Sequence, residues 1–418
     1  MHGFLSEIDD ILNDRYKLRC MLYQRMTVRE RSAYIVDAIR TPIGKRNGAL
    51  SEIHPVDLMA NLLKNEISKF KIPPENYDDL ILGCVSQAGE QGMNIARNAW
   101  LSAGLPESVP SVTVDRQCGS SLQAATFASY AVLSGMQRIV LAGGVESMSR
   151  VPLGSTINGS SNPITMDLAI RYGLDREWFS QAKGAESIAL SYGLTRDELD
   201  EFSYMSHLRA SSASSLFMKE IAPVVADLSG DGSEIATILD HDEGVRTAPD
   251  LEKMRNLKPA FPGLKMITAA NSSQISDGAS LSLICSDETR DQYDLKPKAE
   301  IVATSVVGVD PVTMLTGPIP ATSSVLKKAN MDISEIDLFE VNEAFAPVVL
   351  AWQSEFGVPL DRVNVNGGAI ALGHPLGATG TRIIATLLNA LQEKGKKYGL
   401  VAICEGGGMA NSMIIKRL

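Results

Sequence analysis

Several features are scarce in this 418-residue chain, and each scarcity excludes a class of protein. No apolar run approaches the roughly eighteen residues that cross a membrane, so we expect no membrane span. Positive charge is in deficit, since 39 Lys and Arg stand against 49 Asp and Glu and the formal net charge is −10. General nucleic-acid binding needs the opposite balance and is not expected. Aromatic residues make up only 6%, whereas 34 residues are Gly, which indicates many tight turns between strands and helices.

Cysteine is also sparse, and its spacing predicts neither disulfides nor a metal site. No two cysteines form a C-x-x-C pair, and the scattered positions do not suggest a paired framework. The five positions are Cys20, Cys84, Cys118, Cys285 and Cys404. A reducing compartment is the simpler interpretation, and we expect a cytoplasmic protein.

The order of predicted elements divides the chain into four parts. Residues 1–32 read as an N-terminal extension with an accessory helix. Residues 33–150 alternate strand and helix, which predicts a largely parallel sheet, and residues 275–297 complete this half. Residues 151–274 break the alternation and are predicted to form an inserted, mainly helical domain. Residues 298–418 repeat the order of strand, Gly-rich turn, small-residue helix and strand, so we interpret the chain as two copies of one α/β unit.

This repeat predicts where a functional site lies. Loops that follow corresponding strands meet on one face of paired α/β units, where ligands bind outside the carboxyl ends of the strands. Four residues with chemically useful side chains occupy such loops. They are Cys118, Asn342, His374 and Cys404.

Cys118 lies in the stretch Ser111–Leu133, where a short β-branched run turns into an apolar helix. We predict a buried strand over Val112–Val114 and a strand-to-helix junction over Gln117–Ser120. A cysteine at a helix N-terminus is favoured as a thiolate, the form that attacks an electrophile. The alternative is that Cys118 is a small buried hydrophobic residue, as most free cysteines are.

His374 lies in the glycine-rich run Asn364–Arg382, directly before Pro375. The surrounding glycines predict a rigid, tightly packed turn between strand and helix. A general base in a turn related by the repeat to that of Cys118 is the functional interpretation, and an ordinary core histidine is the alternative. A dinucleotide-binding loop is a weaker rival, because the spacing is not G-x-G-x-x-G.

Two further loops offer groups that could hold an oxygen. Cys404 ends a predicted strand and is followed by Glu405 and by three glycines beginning at Gly406, whose backbone N–H groups could form an oxyanion cradle. A purely structural glycine turn is the alternative. Asn342 lies near a predicted helix start, where it could cap the helix or hold a water or a substrate oxygen.

A basic cluster at the end of the inserted domain is the best candidate for binding an anion. It comprises Arg246, Lys253, Arg255 and Lys258. The protein as a whole is acidic, so an anionic substrate would require such a local patch. Charge alone gives equal support to a solvated helix face.

Four motifs, in this order, closely resemble those of the thiolases, which interconvert 3-ketoacyl-CoA plus CoA with two acyl-CoAs. They are the Cys118 turn, Asn342–Phe345, Gly373–Pro375 and Cys404–Gly408, and the resemblance covers residues 33–418. It implies the family's duplicated αβαβα layered fold, built from two five-stranded halves with an inserted, mainly helical loop domain.

The resemblance also implies roles for individual residues. Cys118 corresponds to the nucleophile that accepts the acyl group, and His374 to the base that activates it. Cys404 corresponds to the cysteine that moves the proton of the incoming CoA thiol or of the enolate carbon. Asn342, through a water, forms one oxyanion hole with His374, and the N–H groups of Cys118 and Gly406 form the other.

For substrate and partners, the resemblance implies CoA as a co-substrate and no tightly bound cofactor. Ser273 matches a serine that touches the pantetheine arm of CoA, and Arg246 is the expected contact for an anionic part of CoA. The family is dimeric or tetrameric, so we expect a homodimer or homotetramer. A hydratase-dehydrogenase is a possible further partner.

Two departures from the family pattern bear on specificity. Gln181 stands where acetoacetyl-specific relatives often carry Met-Gly, and Glu405 is charged. We therefore expect a degradative thiolase of broad or bulky acyl range, with biosynthetic formation of acetoacetyl-CoA as the alternative. A decarboxylating ketoacyl synthase lacks support, since no second histidine motif is present. A non-catalytic scaffold would be expected to lose Cys118, His374 or Cys404, and all three are there.

Overall fold

A computed structural model of the protein describes residues 31–157, 163–174, 179–227 and 236–418. All but the last two residues of the predicted N-terminal extension lie outside the described residues. Within the described ranges, no helix is both long and apolar enough to cross a membrane.

The described residues form twelve strands and thirteen α-helices. The strands are β1 Ala33–Arg40, β2 Gly44–Lys45, β3 Asp79–Gly83, β4 Ser111–Val114, β5 Ile139–Ser147, β6 Val224–Asp227, β7 Ala236–Leu239, β8 Ser276–Ser286, β9 Ala299–Gly308, β10 Leu338–Val341, β11 Tyr398–Glu405 and β12 Met409–Arg417. The helices are α1 Pro55–Ser68, α2 Ile95–Ser102, α3 Ser120–Ser134, α4 Met166–Tyr172, α5 Gln181–Ser191, α6 Arg196–Ser212, α7 Ser214–Phe217, α8 Leu251–Arg255, α9 Asp287–Gln292, α10 Pro318–Ala329, α11 Ala346–Phe356, α12 Ala369–Leu372 and α13 Thr379–Glu393.

The main sheet shows the duplication directly. Its order is β10-β11-β12-β9-β1-β8-β5-β3-β4, with β2 paired to β8. Reading outward from the central β9–β1 pair, β8, β5 and β3 on one side correspond to β12, β11 and β10 on the other. A single bridge between Phe339 and Val363 stands where β4 lies in the first half. The two halves therefore repeat one strand order.

The expectation of a largely parallel sheet was wrong. Only the pairs β3–β4, β3–β5 and β10–β11 are parallel, and the other pairs in the main sheet are antiparallel. The reason is that the last strand of each half does not enter through a helical crossover. A short glycine turn joins β11 to β12, and β8 follows the inserted segment, so each returns antiparallel to its neighbour.

Helices pack in layers on the sheet. Helices α3 and α13 lie at the centre, and their buried Ala, Leu and Ile side chains contact strands of both halves. Helices α1 and α2 cover the outer face of the first half, around Trp100. Helices α10 and α11 cover the outer face of the second half, around Trp352. This is the predicted αβαβα arrangement, and the fold class is confirmed.

The inserted segment is mainly helical, as predicted, and also contains a two-stranded ribbon. Helices α4 to α8 lie there, together with the antiparallel pair β6–β7. The longest helix, α6, begins with a capping box in which Thr195 and Glu198 satisfy each other's backbone N–H groups. The exact domain boundaries stay predictions.

Strand β4 differs from its prediction in burial. Val112 is 42% exposed, because β4 is an edge strand that pairs only with β3. A short β-branched run predicts a strand but does not distinguish a central position from an edge. The outer edge of β4 is therefore open to another chain, except at the Ser111 carbonyl, which accepts from Asn94 Nδ2 at 2.9 Å.

Candidate active site

The site forms where the N-terminal ends of the two central helices touch. A Cβ atom on Gly380 of α13 would lie 2.1 Å from the backbone nitrogen of Leu122 in α3, so only glycine allows this approach. The N–H of Thr381 donates to Ser121 Oγ at 3.1 Å across the same contact. Because Cys118 precedes α3 and His374 precedes α13, the contact brings the two turns to one end of the helix pair.

Cys118 lies in a turn with a strained neighbour. Gln117 has φ of 47°, a left-handed conformation that costs a non-glycine residue on the order of 1 kcal/mol or more. Asp115 Oδ1 holds this turn by accepting from the Gln117 N–H at 2.7 Å. The Cys118 thiol is buried, and the backbone N–H groups of Cys118 and Gly406 and the side chain of Gln181 face it.

The resting charge of Cys118 differs from our expectation of a thiolate. Burial, and next the negative charge of Glu405, raise the pKa of Cys118 to about 12. The N–H groups and Gln181 favour the thiolate but do not offset the loss of water. The stabilisation of a thiolate by the helix N-terminus is therefore smaller than the cost of removing that thiolate from water, and the free protein holds a thiol.

His374 is buried and held in one orientation by Thr379. Its Nδ1 lies 2.7 Å from Thr379 Oγ1, and that hydroxyl donates to the Pro375 carbonyl at 2.8 Å. Since the hydroxyl proton is already used, Nδ1 is the donor and Nε2 carries the free electron pair, a tautomer assigned from this pattern. Burial, and next the charge of Arg382, lower the pKa of His374 to about 3, so the ring is neutral.

Asn342 contacts His374 from the end of β10. Its Nδ2 lies 3.4 Å from His374 Nε2, and its backbone N–H donates to Ala402 on β11. Its Oδ1 is buried without a hydrogen-bond partner among the described residues. Helix α11 begins only at Ala346, so Asn342 does not serve as its N-cap.

Cys404 is fully buried near the end of β11. Burial raises its pKa most, and the charges of Cys118 and Glu405 raise it further, which places the two thiols close together. Because the Gly406 N–H also faces Cys118, one cluster contains three of the predicted residues, namely Cys118, Cys404 and Gly406.

Ser273 and Arg246 lie outside this cluster. The Ser273 N–H donates to Ala344 at 2.9 Å, and the next residue, Gln274, accepts from the His374 N–H at 3.2 Å. Arg246 is exposed at a cavity of about 440 Å³ that also contacts Lys253 and Ala269.

The predicted basic cluster is smaller than expected. The Arg255 side chain forms ion pairs with Asp197, Glu201 and Glu252. Lys258 does not line the cavity. Arg246 and Lys253 are therefore the two members of the cluster that face it.

Sequence reasoning missed two supporting residues. Thr379 fixes the His374 tautomer, and nothing in the chain pattern singled it out. Glu146 is fully buried at the end of β5, where its carboxylate accepts from the N–H groups of Val85, Ser86 and Gly377. It therefore links the turn after β3 to the His374 turn. In the sequence, only its position just after the Gly143-Gly144 pair of a predicted strand could have indicated this role.

Two thiols, a neutral imidazole and converging N–H groups on a duplicated αβαβα fold define an acyltransferase that works through a cysteine. The chain belongs to the thiolase family: residues 33–288 match the model of the thiolase N-terminal domain and residues 295–417 that of the C-terminal domain. The resemblance noted from the motifs is thereby confirmed.

Relatives extend over nearly the whole chain. It is 47% identical to a steroid 3-ketoacyl-CoA thiolase of Mycobacterium tuberculosis, over 92% of this chain and 94% of the relative. It is 41% identical to a β-ketoadipyl-CoA thiolase of Acinetobacter baylyi, over 92% of this chain and 99% of the relative. Among solved structures, an acetyl-CoA acetyltransferase of Bacillus anthracis matches with a TM-score of 0.84 and 34% identity, over 93% of this chain and 99% of that one.

These findings confirm the predicted activity class. The protein is an acyltransferase that cleaves 3-ketoacyl-CoA with CoA in the degradative direction, through an acyl-cysteine. CoA is its co-substrate.

Proposed function

We propose that Cys118 is the nucleophile and that His374 Nε2 takes its proton. The thiolate attacks the 3-keto carbon, and the backbone N–H groups of Cys118 and Gly406 bind the oxyanion that forms. The bond between C2 and C3 then breaks, and the acyl group stays on Cys118. The electron pair leaves as the enolate of acetyl-CoA, whose oxygen His374 and Asn342 stabilise and whose carbon Cys404 protonates.

The second half of the reaction returns the enzyme to its starting state. The Cys404 thiolate removes the proton of an incoming CoA thiol, and the CoA sulfur attacks the acyl-cysteine carbonyl. The shortened acyl-CoA leaves, and His374 returns the proton to Cys118. The observation that carries this proposal is the environment of the Cys118 thiol, which faces two N–H groups and lies close to a second thiol.

We propose that CoA lies along the route from Arg246 past Ser273 to the cysteines. Arg246 and Lys253 supply positive charge at the cavity for phosphate groups, although the protein carries a net charge of −10. Ser273 then flanks the narrow pantetheine arm, directly before the backbone that contacts His374.

We propose a broad or bulky acyl range. Gln181 supports this, because it places an amide against the Cys118 thiol from helix α5 of the inserted segment. The names of the relatives, which include a steroid and a β-ketoadipyl thioester, also support a range beyond acetoacetyl. Biosynthetic formation of acetoacetyl-CoA is the second candidate, favoured by the acetyltransferase among the similar structures.

Brief exposure to 3-ketoacyl-CoAs without free CoA tests this mechanism. We expect the intact mass to rise by one acyl group on the peptide that contains Cys118, and added CoA to discharge it. Short, long and bulky thioesters are compared, and the one that labels fastest reports the acyl range. Cys118→Ala should abolish labelling, whereas Cys84→Ala, at another buried cysteine, should not. A folded protein that no thioester labels would refute the catalytic assignment.

We also propose that the protein is a homodimer through edge strand β4 and the exposed side of α3. This surface exposes six large apolar side chains, and such patches mark interfaces. They are Met93, Val112, Phe127, Tyr130, Leu133 and Met136. A homotetramer built from two such dimers, a cytoplasmic location and a hydratase-dehydrogenase partner stay proposals from the family resemblance and the scattered free cysteines.

A further inference from the structure

Glu405 carries a buried carboxyl group that the proposed mechanism does not use. It is the last residue of β11, between Cys404 and Gly406, and its side chain is fully buried. A Cβ atom built on Gly119 would lie 2.0 Å from Glu405 Oε1. Gly119 has φ of −94°, which any residue adopts, so the carboxyl group and not the backbone requires glycine beside Cys118.

Several polar atoms around this carboxyl group lack hydrogen-bond partners among the described residues. Neither oxygen of Glu405 has a hydrogen-bond partner among the described residues, and neither does Asn411 Oδ1. One N–H of Asn411 Nδ2 donates to the Gly119 carbonyl at 3.0 Å, and Arg116 Nε is also buried without a partner among the described residues. Oε1 of Glu405 and Oδ1 of Asn411 lie within 3 Å of one point beside the Gly119 Cα. An ionised carboxylate only accepts hydrogen bonds, whereas a protonated one can also donate, and Asn411 Oδ1 is an acceptor that lacks a donor.

The charged and titratable groups around Glu405 come from several elements. Asp115 and Arg116 lie in the turn after β4, Cys118 precedes α3, and Cys404 is on the same strand. Strand β12 contributes the neutral amide of Asn411. Arg116 favours ionisation of Glu405 and Asp115 opposes it, but burial outweighs both and raises the pKa of Glu405 well above its usual range.

We propose that Glu405 is a positioning residue for the nucleophile. Protonated, it donates to Asn411 and holds the turn at Gly119; ionised, it places a negative charge beside Cys118 and opposes the thiolate. The inference rests on the proposed role of Cys118. It assigns a function to the charged residue by which this glycine loop departs from the family pattern.

The test is the rate at which iodoacetamide alkylates Cys118 in the folded protein between pH 6.5 and 9.5. The protein is digested after alkylation, and the modified fraction of the peptide that contains Cys118 is measured. Glu405→Gln keeps the shape of the side chain but cannot ionise. We expect the ratio of the variant rate to the wild-type rate to be near one at pH 6.5. It should rise with pH, toward about tenfold once Glu405 is ionised, because about one pKa unit of charge repulsion is then removed at Cys118.

A matched control is Glu340→Gln. Glu340 is also buried, lies on β10 two strand positions from Asn342, and has an oxygen without a partner among the described residues. Its principal charged neighbour is Arg382, so the alkylation ratio of this variant should stay constant with pH. A ratio for Glu405→Gln that is also constant with pH would overturn the proposal, since a structural disturbance alone changes the rate equally at each pH.

The wild-type protein provides a second measurement if the variant does not fold. Because two interacting acids lose protons in overlapping steps, the logarithm of the wild-type rate should rise with pH at a slope below one. A slope of one throughout would contradict the coupling. Alkylation needs neither CoA nor a ketoacyl thioester, so this result is independent of whether acyl transfer itself is observed.

Discussion

At Cys118 and His374, burial opposes the charges that the proposed mechanism needs. The pKa of Cys118 is raised to about 12 and that of His374 is lowered to about 3, so both are neutral in the free protein. Proton transfer between them creates two opposite charges, which attract strongly where water is excluded. The two N–H groups at Cys118 add stabilisation that requires no reorganisation. We infer that the reactive ion pair forms chiefly when substrate is present.

Cys404→Ala should separate the two halves of the reaction. In the proposed mechanism, acylation of Cys118 needs His374 and the N–H groups but not Cys404, so single-turnover labelling by a 3-ketoacyl-CoA should remain, although slower. Steady-state turnover should fall by at least about 100-fold, a typical effect of removing a general acid or base. The measurement is the labelling rate and the thiolysis rate on the same preparation. An equal loss in both would contradict a separate proton-transfer role.

His207 predicts a pH dependence of stability. It is buried on α6, where its Nδ1 accepts the Arg246 N–H at 3.2 Å, and burial, followed by the charge of Arg246, lowers its pKa to about 4. The unfolded chain binds a proton near pH 6.5 and the folded protein does not, so stability from this group is lost as pH falls. From pH 7 to 5 the loss is about 2 kcal/mol.

Urea unfolding of wild type and His207→Gln at both pH values measures this loss. The free energy of unfolding of the wild type, relative to the variant, should decrease by about 2 kcal/mol on going to pH 5. Gln392→Ala, an exposed change that removes no titratable group, serves as the control and should show no such change. A difference between wild type and His207→Gln that is independent of pH would show that His207 binds its proton equally in both states.

At the scale of elements, the contact between α3 and α13 determines the site. Each helix follows a turn that carries one side chain of the candidate site. Gly380 and the Thr381–Ser121 hydrogen bond set the distance between the helix ends. Glu146 adds a link from the first half to the His374 turn at Gly377.

Gly380→Ala should therefore reduce both stability and activity. The new methyl group would meet the Leu122 backbone, which cannot move aside as a flexible side chain does, and overpacking of this kind costs about 1–3 kcal/mol. Because the helix ends must separate, acylation of Cys118 should slow as well. Gln392→Ala, exposed in the same helix, is the control and should change the free energy of unfolding by less than about 0.5 kcal/mol. Wild-type behaviour of Gly380→Ala would show that the helix contact is adjustable.

At the scale of the whole molecule, β4 leaves the sheet open at one edge. An unpaired edge with exposed apolar residues is a template for pairing with another chain, and a second copy would continue the sheet. Asp115, Arg116 and Gln117 follow β4 directly, so such pairing would also brace the turn that carries Cys118. Assembly and catalysis are thereby expected to be linked.

Val112→Lys tests this expectation. We expect the wild type to sediment as a dimer or larger species, and the variant to dissociate at least tenfold more readily, because a lysine at the centre of a short edge strand opposes pairing. Leu190→Lys, an equally drastic change at an exposed residue of α5, should not alter sedimentation. An unchanged assembly in Val112→Lys would place the interface elsewhere.

The sequence by itself determined the duplication, the family and the residues to consider. Local patterns were sufficient to identify them because each motif is a short run in which no other residue can readily replace the glycine, cysteine or histidine. The strand, turn and helix around Cys118 and the turn and helix around His374 were also predictable, since they follow from local propensities and spacing. The strand expected before His374 is reduced to isolated bridges at Val363 and Val365.

Only the tertiary structure decided strand direction, exposure and charge. The antiparallel returns of β8 and β12 depend on how each chain segment re-enters the sheet, and the exposure of Val112 depends on what lies beside β4. The charge of Cys118 depends on how much water the surrounding layers exclude, and on the charge of Glu405 and the amide of Gln181, which lie far from it in the sequence. Thr379 became visible for the same reason, because its role is defined by a contact with His374 and not by a pattern along the chain.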